Sequence, residues 1–273
     1  MFDLEKPTAD GLPTPEVGGW SRDKHHFLRR YIDAFTTAMR PKRWSALNYI
    51  DLFAGPGLLQ IKGKDEYEWG SPMIAAMCNR FQEIHVCEMN ADHLETLRQR
   101  MSLLKPSARV FYYGSDANAT VHELTKCLRP RSLSLAFLDS FGLDLPYATL
   151  QALANHRVDL IIFLPDFLDI VRNWEHVYQK QTNSKLDHFL GTGVDGRHQF
   201  NASPKDKLAD VAHDLYVDQI RKLGYEYFHA ERIAMGGTRL YRLVFCSRNS
   251  AGDRIWRGIA KKKPDGQMTW DYD

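Results

Sequence analysis

Five short apolar runs punctuate the first two-thirds of the chain, at residues 47–53, 83–88, 109–113, 133–139 and 158–164. Most are nearly continuous rather than alternating with polar residues, the pattern of strands covered on both faces. Helical periods lie between them. Ser71-Pro72 opens a helix running to about Phe81, Leu94, Leu97, Met101 and Leu104 stripe a second, and Val121, Leu124 and Leu128 a third. Upstream, Ser21 reads as the N-cap of an amphipathic helix carrying Phe27, Leu28, Tyr31, Ile32, Phe35 and Met39, which Pro41 ends. Repeated strand-then-helix units predict a parallel, doubly wound α/β sheet.

The last third changes character. Residues 204–223 have a helical period that Gly224 stops, and the apolar stretches 225–233 and 239–247 flank Gly236-Gly237 as a β-hairpin would. Residues 166–203 form a helical insertion after the fifth strand, carrying Asp166, Asp169, Arg172, Asn173 and Trp174; they line a substrate pocket or form an amphipathic cover. Residues 1–20, rich in proline and glycine, read as a flexible or draped arm, and 21–273 as a single domain.

Composition narrows this little. The 44% apolar share contains no run approaching a membrane span, and the N-terminus is acidic and proline-rich, so the expectation is a soluble cytoplasmic protein with no membrane contact. Four single cysteines, Cys78, Cys87, Cys127 and Cys246, predict buried reduced thiols and no disulfide framework. His25 and His26 fall on different helix faces without a third ligand, so no metal site is expected. The net charge of +2 conceals basic stretches at 22–43 and 248–263, which permit a polyanionic partner. Residues 261–263 read as a solvated tail.

An open parallel sheet binds its ligand at the carboxyl ends of its strands. The first ends in Asp51-Leu52-Phe53-Ala54-Gly55-Pro56-Gly57, where Gly55 and Gly57 let the backbone approach a ligand, and Asp51 accepts hydrogen bonds around the turn or from a ligand's amino-acid portion. The second ends at Glu88, thirty-seven positions after Asp51, where a carboxylate can take both hydroxyls of a ribose. A dinucleotide-binding strand pair would place its acid about twenty positions on and show G-x-G-x-x-G, which is absent. The third offers Gly114-Ser115-Asp116-Ala117, suited to an adenine amino group. Each acid also has a plain structural reading: a turn acid at Asp51, a helix start at Glu88, an N-cap at Asp116. Together they predict a nucleotide-like ligand. The fourth strand ends in Leu138-Asp139-Ser140-Phe141-Gly142-Leu143, where Asp139 can orient an acceptor and take its proton. Phe141 either stacks on a planar substrate or closes the core.

The chain resembles the three-Cys-motif partner family, TcmP, whose members are similar to class I S-adenosylmethionine-dependent methyltransferases. The resemblance rests on Trp20-Ser-Arg-Asp-Lys24, Tyr49 to Gly57, Gly70-Ser-Pro-Met-Ile-Ala75, Leu138 to Leu143, and Leu243-Val-Phe-Cys-Ser-Arg248 followed by Gly252 and Trp256. Where the family usually shows Asp-Pro-Phe-Gly, this chain has Asp139-Ser140-Phe141-Gly142. That pattern is also similar to one in tRNA guanine-N2 dimethyltransferases and, distantly, to the Asn/Asp-Pro-Pro-Tyr turn of exocyclic-amine methyltransferases. The tandem prolines are missing, which disfavours adenine-N6 methylation of DNA.

The resemblance implies a Rossmann-like class I methyltransferase sheet of five parallel strands plus a terminal antiparallel hairpin, with helices on both faces. It implies S-adenosylmethionine (SAM) as cofactor, held by Asp51, Phe53, Gly55, Gly57, Glu88, Asp116 and Ala117, with Asp139 and Phe141 as catalytic groups and Lys24 reaching toward the substrate. The implied acceptor is a nucleobase exocyclic amine in RNA, or a nucleoside. The alternative is a non-catalytic SAM-binding partner of a radical-SAM-like three-cysteine-motif protein.

Overall fold

Residues 2, 4–235 and 238–261 are described by the computed structural model. A two-residue strand β1 (Glu16–Val17) precedes helix α1 (Ser21–Met39). Then follow β2 (Leu47–Asp51), β3 (Leu58–Ile61), β4 (Tyr67–Trp69), α2 (Ser71–Met77), β5 (Glu83–Cys87), α3 (Ala91–Leu104), β6 (Arg109–Tyr113), α4 (Ala117–Cys127), β7 (Leu133–Leu138), α5 (Tyr147–Ala154) and β8 (Val158–Leu164). After two π-helical segments, Asp166–Val171 and Trp174–Tyr178, come α6 (Lys185–Leu190), α7 (Gly193–Ala202), α8 (Leu208–Lys222), β9 (Tyr227–Met235), β10 (Thr238–Ser247) and α9 (Ser250–Ala260).

The main sheet has the order β6-β5-β2-β7-β8-β10-β9. The first five are parallel; β10 runs antiparallel to β8, pairing Arg242 with Leu164 and Val244 with Ile162, and β9 closes the hairpin. This is the expected class I methyltransferase sheet. Successive side chains point to opposite faces, and both faces are covered. Tyr49, Ile84, Leu135, Phe137 and Phe245 pack under α1, α2, α3 and α9. Ile50, Ala136, Leu138, Ile162 and Val244 pack under α4, α5, α6, α7 and α8.

Several boundaries differ from the sequence reading. β2, β5 and β7 stop one or two residues short of the expected ends; beyond β2 and β5 the backbone bonds across the sheet edge, Ala54 N–H donating to Cys87 O (2.9 Å) and Glu88 N–H to Tyr113 O (3.0 Å). Ser21 does not cap α1; it is the first helical residue, and its hydroxyl donates back to Gly18 O (3.0 Å). Gly70, not Ser71, stands at the N-cap of α2, which ends at Met77 rather than near Phe81. Helices α5 and α9 are additional to those the apolar periods predict. Gly236-Gly237 and residues 262–263 lie outside the described residues. Cys78, Cys87 and Cys246 are buried, but Cys127 is exposed.

Residues 58–69 fold as a β3–β4 hairpin, and β1 adds to it in parallel to make a three-stranded sheet. The arm that ends in β1 is draped over the body. Trp69 Nε1 donates to Glu5 O (2.9 Å), and the buried Arg100 of α3 binds Asp10 (2.7 and 2.8 Å), Pro13 O (3.2 Å) and Pro56 O (2.7 Å). One guanidinium thus satisfies acceptors on the arm and on the glycine turn, which apolar surroundings would otherwise leave unpaired. The segment after β8 is tied to the sheet by buried Arg242, which pairs with Asp166 (3.2 Å) and Asp210, while Trp174 stacks on Phe200 (4.7 Å).

Helix α9 covers the α1 face through Trp256, fully buried between Phe27 and Phe245 at ring separations of 6.0 and 4.6 Å. Truncating so large a core side chain removes both its transfer energy and its contacts. Trp256→Ala is expected to lower unfolding stability by about 3–5 kcal/mol, read from urea denaturation; a loss under about 1 kcal/mol would mean that α9 is not part of the core.

Candidate functional site

The carboxyl ends of β2, β5, β6 and β7 stand side by side, so their terminal acids form a row. Asp51 is fully buried. Its Oδ1 accepts from Phe53 N–H (3.2 Å) and its Oδ2 from the Tyr49 hydroxyl (3.0 Å). Burial pushes this carboxyl up to about 7, against the opposing hydrogen bonds of Ser71, Tyr49 and Phe53. Of its two sequence roles, the turn acid is the one its contacts describe.

Glu88 is partly exposed and held from two directions: Oε2 accepts from Gly55 N–H (2.9 Å) and Oε1 from Asn90 N–H (2.8 Å). Each oxygen retains acceptor capacity, so the carboxylate is fixed in direction without being used up. Asp116 is exposed and caps α4, its Oδ1 accepting from Asn118 N–H (2.9 Å) and Ala119 N–H (3.0 Å); Ala117 behind it is buried. Gly55 has φ +61 with nothing near the position of a Cβ, so the turn there is both left-handed and open. Gly57, at φ +90, is left-handed too, and a Cβ on it would lie 2.9 Å from Met73 and Leu97, so it serves both the turn and the packing beneath it. Phe53 is half-buried against the α4 side.

The β7 end brings together residues that are far apart in sequence. Lys24, one turn into α1, forms an ion pair with Asp139, and its ammonium lies 5.8 Å from the centre of the Phe163 ring. Both side chains are mostly buried, at 14% and 17% exposure, so water screens the pair less than it would at the surface. Ser140 is buried and its hydroxyl donates to Gly142 O (3.1 Å), stapling the turn. Phe141 is 91% exposed, so it does not close the core.

These groups face a cleft of about 940 Å³ between the arm, α1, the β3–β4 hairpin and the segment after β8. Trp20, Arg22, Lys62 and Lys64 line it along with Asp139, Phe141, Phe163 and Asp169. Arg22 is engaged by Glu66 and Glu68 of the hairpin, and Trp20 O accepts from the Tyr241 hydroxyl (3.1 Å). Asp169 Oδ1 accepts from Asn173 Nδ2 (2.9 Å) and from the Tyr178 hydroxyl. Sequence reasoning missed Lys62, Lys64, Phe163 and Met89. The signal for the first two was the short apolar stretches on either side of Gly63, a hairpin pattern. Met89, 72% exposed next to Glu88, left none.

His25 is buried, its ring 6.5 Å from Phe137, and burial pushes it down to about 3. Among the described residues no group of three or more metal-ligating side chains occurs, and no helix is long and apolar enough to cross a membrane.

No family model matches the chain, and no curated protein sequence is significantly similar to it. Solved structures of similar fold exist. Protein LPL1258 from Legionella pneumophila str. Philadelphia 1, of family model DUF519, aligns over 91% of this chain and 94% of its own at TM-score 0.54 and 10% identity. A putative O-methyltransferase from Klebsiella pneumoniae aligns over 88% and 84% at TM-score 0.49 and 12% identity. Trm1 from Pyrococcus horikoshii, in complex with S-adenosyl-L-methionine, aligns over 85% of this chain and 57% of its own at TM-score 0.45 and 12% identity. At such identities the likeness is one of fold alone, an α/β fold with a mostly parallel central sheet.

A carboxyl that holds its proton more tightly when folded stabilises the chain below its unfolded value of 3.8 and loses that contribution as pH rises through about 7. Asp159 and Asp166, both pushed up to about 6 by burial, act in the same direction. Buried His25 and His85, pushed down to about 3 and about 4, act in the opposite direction, so the expectation concerns the difference: between about pH 4 and pH 7 the melting midpoint of the wild-type chain falls relative to that of Asp51→Asn. Parallel melting curves for the two proteins across this range check it; identical slopes would mean Asp51 is ionised throughout.

Proposed function

We propose that this protein is a SAM-dependent methyltransferase whose acceptor is a nucleobase amine in RNA or in a nucleoside. The observation that carries the reading is the Lys24–Asp139 pair beside the exposed Phe141, set at the end of β7 and facing an open cleft.

The residues present suit the cofactor. Gly55 leaves its turn open, Glu88 presents a directed carboxylate for ribose hydroxyls, and Asp116 keeps an exposed carboxylate for an adenine amino group. Met89 offers an apolar surface beside them for the adenine face. When bound, SAM supplies a methyl group on a sulfonium, and transfer is an in-line displacement that needs alignment and an acceptor for the amine's proton. Asp139 is the group placed to accept that hydrogen bond and proton. Lys24 holds its carboxylate in one direction and balances its charge, Phe141 gives a planar base a stacking surface, and Lys62 and Lys64 set positive charge on the rim for an anionic substituent.

Membership of the three-Cys-motif partner family is part of the proposal, resting on Trp20 to Lys24 and the other shared segments. The second reading, a non-catalytic SAM-binding partner of a three-cysteine-motif protein, drew on the loss of proline at Ser140. The Ser140–Gly142 hydrogen bond supplies a different constraint on the same turn and favours the catalytic reading.

Two substitutions separate donor from acceptor chemistry. Glu88→Ala is expected to weaken SAM affinity at least about tenfold, roughly one charge-assisted hydrogen bond, by calorimetry; unchanged affinity would remove Glu88 from the ribose. Asp139→Asn is expected to leave SAM affinity intact and lower transfer by about 100-fold or more, measured with methyl-labelled donor on RNA and nucleosides. Wild-type protein that binds SAM yet labels neither would exclude the acceptor class.

A further inference from the structure

The opposite end of the sheet is basic. The loops leading into the strands expose Arg40, Lys42 and Arg43 before β2, Arg131 before β7 and Arg157 before β8. Among the described residues none of these five is in an ion pair. The loops are laced together, with Ser45 N–H donating to Arg131 O (3.3 Å) and Ser134 N–H to Arg157 O (2.9 Å), so the cations ride on a firm base. Acids at this edge are mostly taken. Glu83 is buried and held by Arg129 (2.8 Å), and both oxygens of buried Asp159 accept hydroxyl protons, from Tyr31 (2.7 Å) and Ser247 (2.7 Å). Glu226, before β9, is the exposed exception.

A second cleft of about 580 Å³ opens among these loops, lined by Lys42, Trp44, Arg157, Asp159 and Arg248. The Arg157 guanidinium lies 5.8 Å from the Trp44 ring centre. Two buried donors on the lining residues, Trp44 Nε1 and Arg248 Nε, have no hydrogen-bond partner among the described residues. Unpaired buried donors beside unpaired cations are the complement of an anionic oxygen. An aromatic ring next to a guanidinium is in turn a stacking platform that accepts any base.

We propose that this amino edge binds single-stranded nucleic acid, with phosphates on the five unpaired cations and one nucleotide in the Trp44 cleft. A lipid surface would call for an apolar wedge among the cations. Among the described residues the exposed large apolar side chains are instead Met89 and Phe141, at the carboxyl edge, and Leu103, alone near the end of α3. The six residues of β7 separate the two edges by about 20 Å, a distance that a bound strand spans along the body of the protein. Binding here is independent of methyl transfer; only the step that makes the bound strand the acceptor rests on the reading above.

The test is fluorescence anisotropy of the full chain with labelled RNA and DNA oligonucleotides of about 12 residues, without SAM. Expected is binding to at least one of them whose affinity falls with salt, at about 0.7 log units per log salt for each phosphate contact. The triple substitution Lys42→Gln, Arg43→Gln, Arg157→Gln is expected to reduce that slope by about 2 and to weaken binding more than about tenfold at low salt, with an unchanged melting temperature. Lys180→Gln with Lys207→Gln, exposed cations in the segments after β8, is expected to leave it unaltered. Absence of binding to either oligonucleotide, equal binding by the triple variant, or tighter binding to polyglutamate or phosphatidylserine vesicles would each overturn the proposal. Oligonucleotide binding without methyl transfer would reject the acceptor assignment and keep this surface; SAM binding and nucleoside methylation without oligonucleotide binding would do the reverse.

Discussion

A sheet covered on both faces leaves its strands only their ends for polar chemistry, and that constraint organises this molecule. Each central strand spends its length on apolar contacts, Tyr49 and Phe137 toward α1, Ile50 and Leu138 toward α4 and α5. Charged groups collect where the strands emerge. The carboxyl edge carries Glu88, Asp116 and Asp139, and the amino edge carries Lys42, Arg131 and Arg157. The two clefts lie one at each edge of the sheet.

The carboxyl edge is held as a unit by bonds that cross it. Cys87 O receives Ala54 N–H, Glu88 receives Gly55 N–H, and Glu88 N–H reaches Tyr113 O, so the ends of β2, β5 and β6 are fixed to each other. The arm and α3 extend this lacing through Arg100, whose guanidinium bridges Asp10 and the Pro56 carbonyl. The wall of the cleft beside β7 is thus assembled from the arm, from α1 and from the small β1-β3-β4 sheet, each anchored by a long-range contact. Lys24 is the clearest case. Its side chain meets Asp139 from 115 residues away in sequence.

Among the described residues, two kinds of buried ionisable group stand out. Arg242 and Arg100 are fully partnered and join separate segments, at Asp166 and Asp210 in one case and at Asp10 in the other. Asp51 and Asp159 instead rely on hydroxyl and amide donors, without a cation, and burial raises both carboxyls. The first kind fixes topology; the second makes the strand ends sensitive to protonation.

The order of elements was legible in the sequence because it depends on local periodicity: the five strands, the α1 stripe and the terminal hairpin are patterns within single segments. The acids at strand ends were legible for the same reason, since a strand's end is visible where its apolar run stops. What each acid contacts was not. Asp51 is sealed by Tyr49 and Phe53, Asp116 caps α4, and Glu88 is steered by Gly55, all consequences of how neighbouring strand ends approach. The tertiary structure alone decided that Phe141 is exposed, that Ser140 staples its own turn, that Lys24 reaches Asp139, and that the cations of separate loops converge on one edge. Those facts depend on contacts between segments distant in sequence, and a one-dimensional pattern carries no record of which distant segments meet.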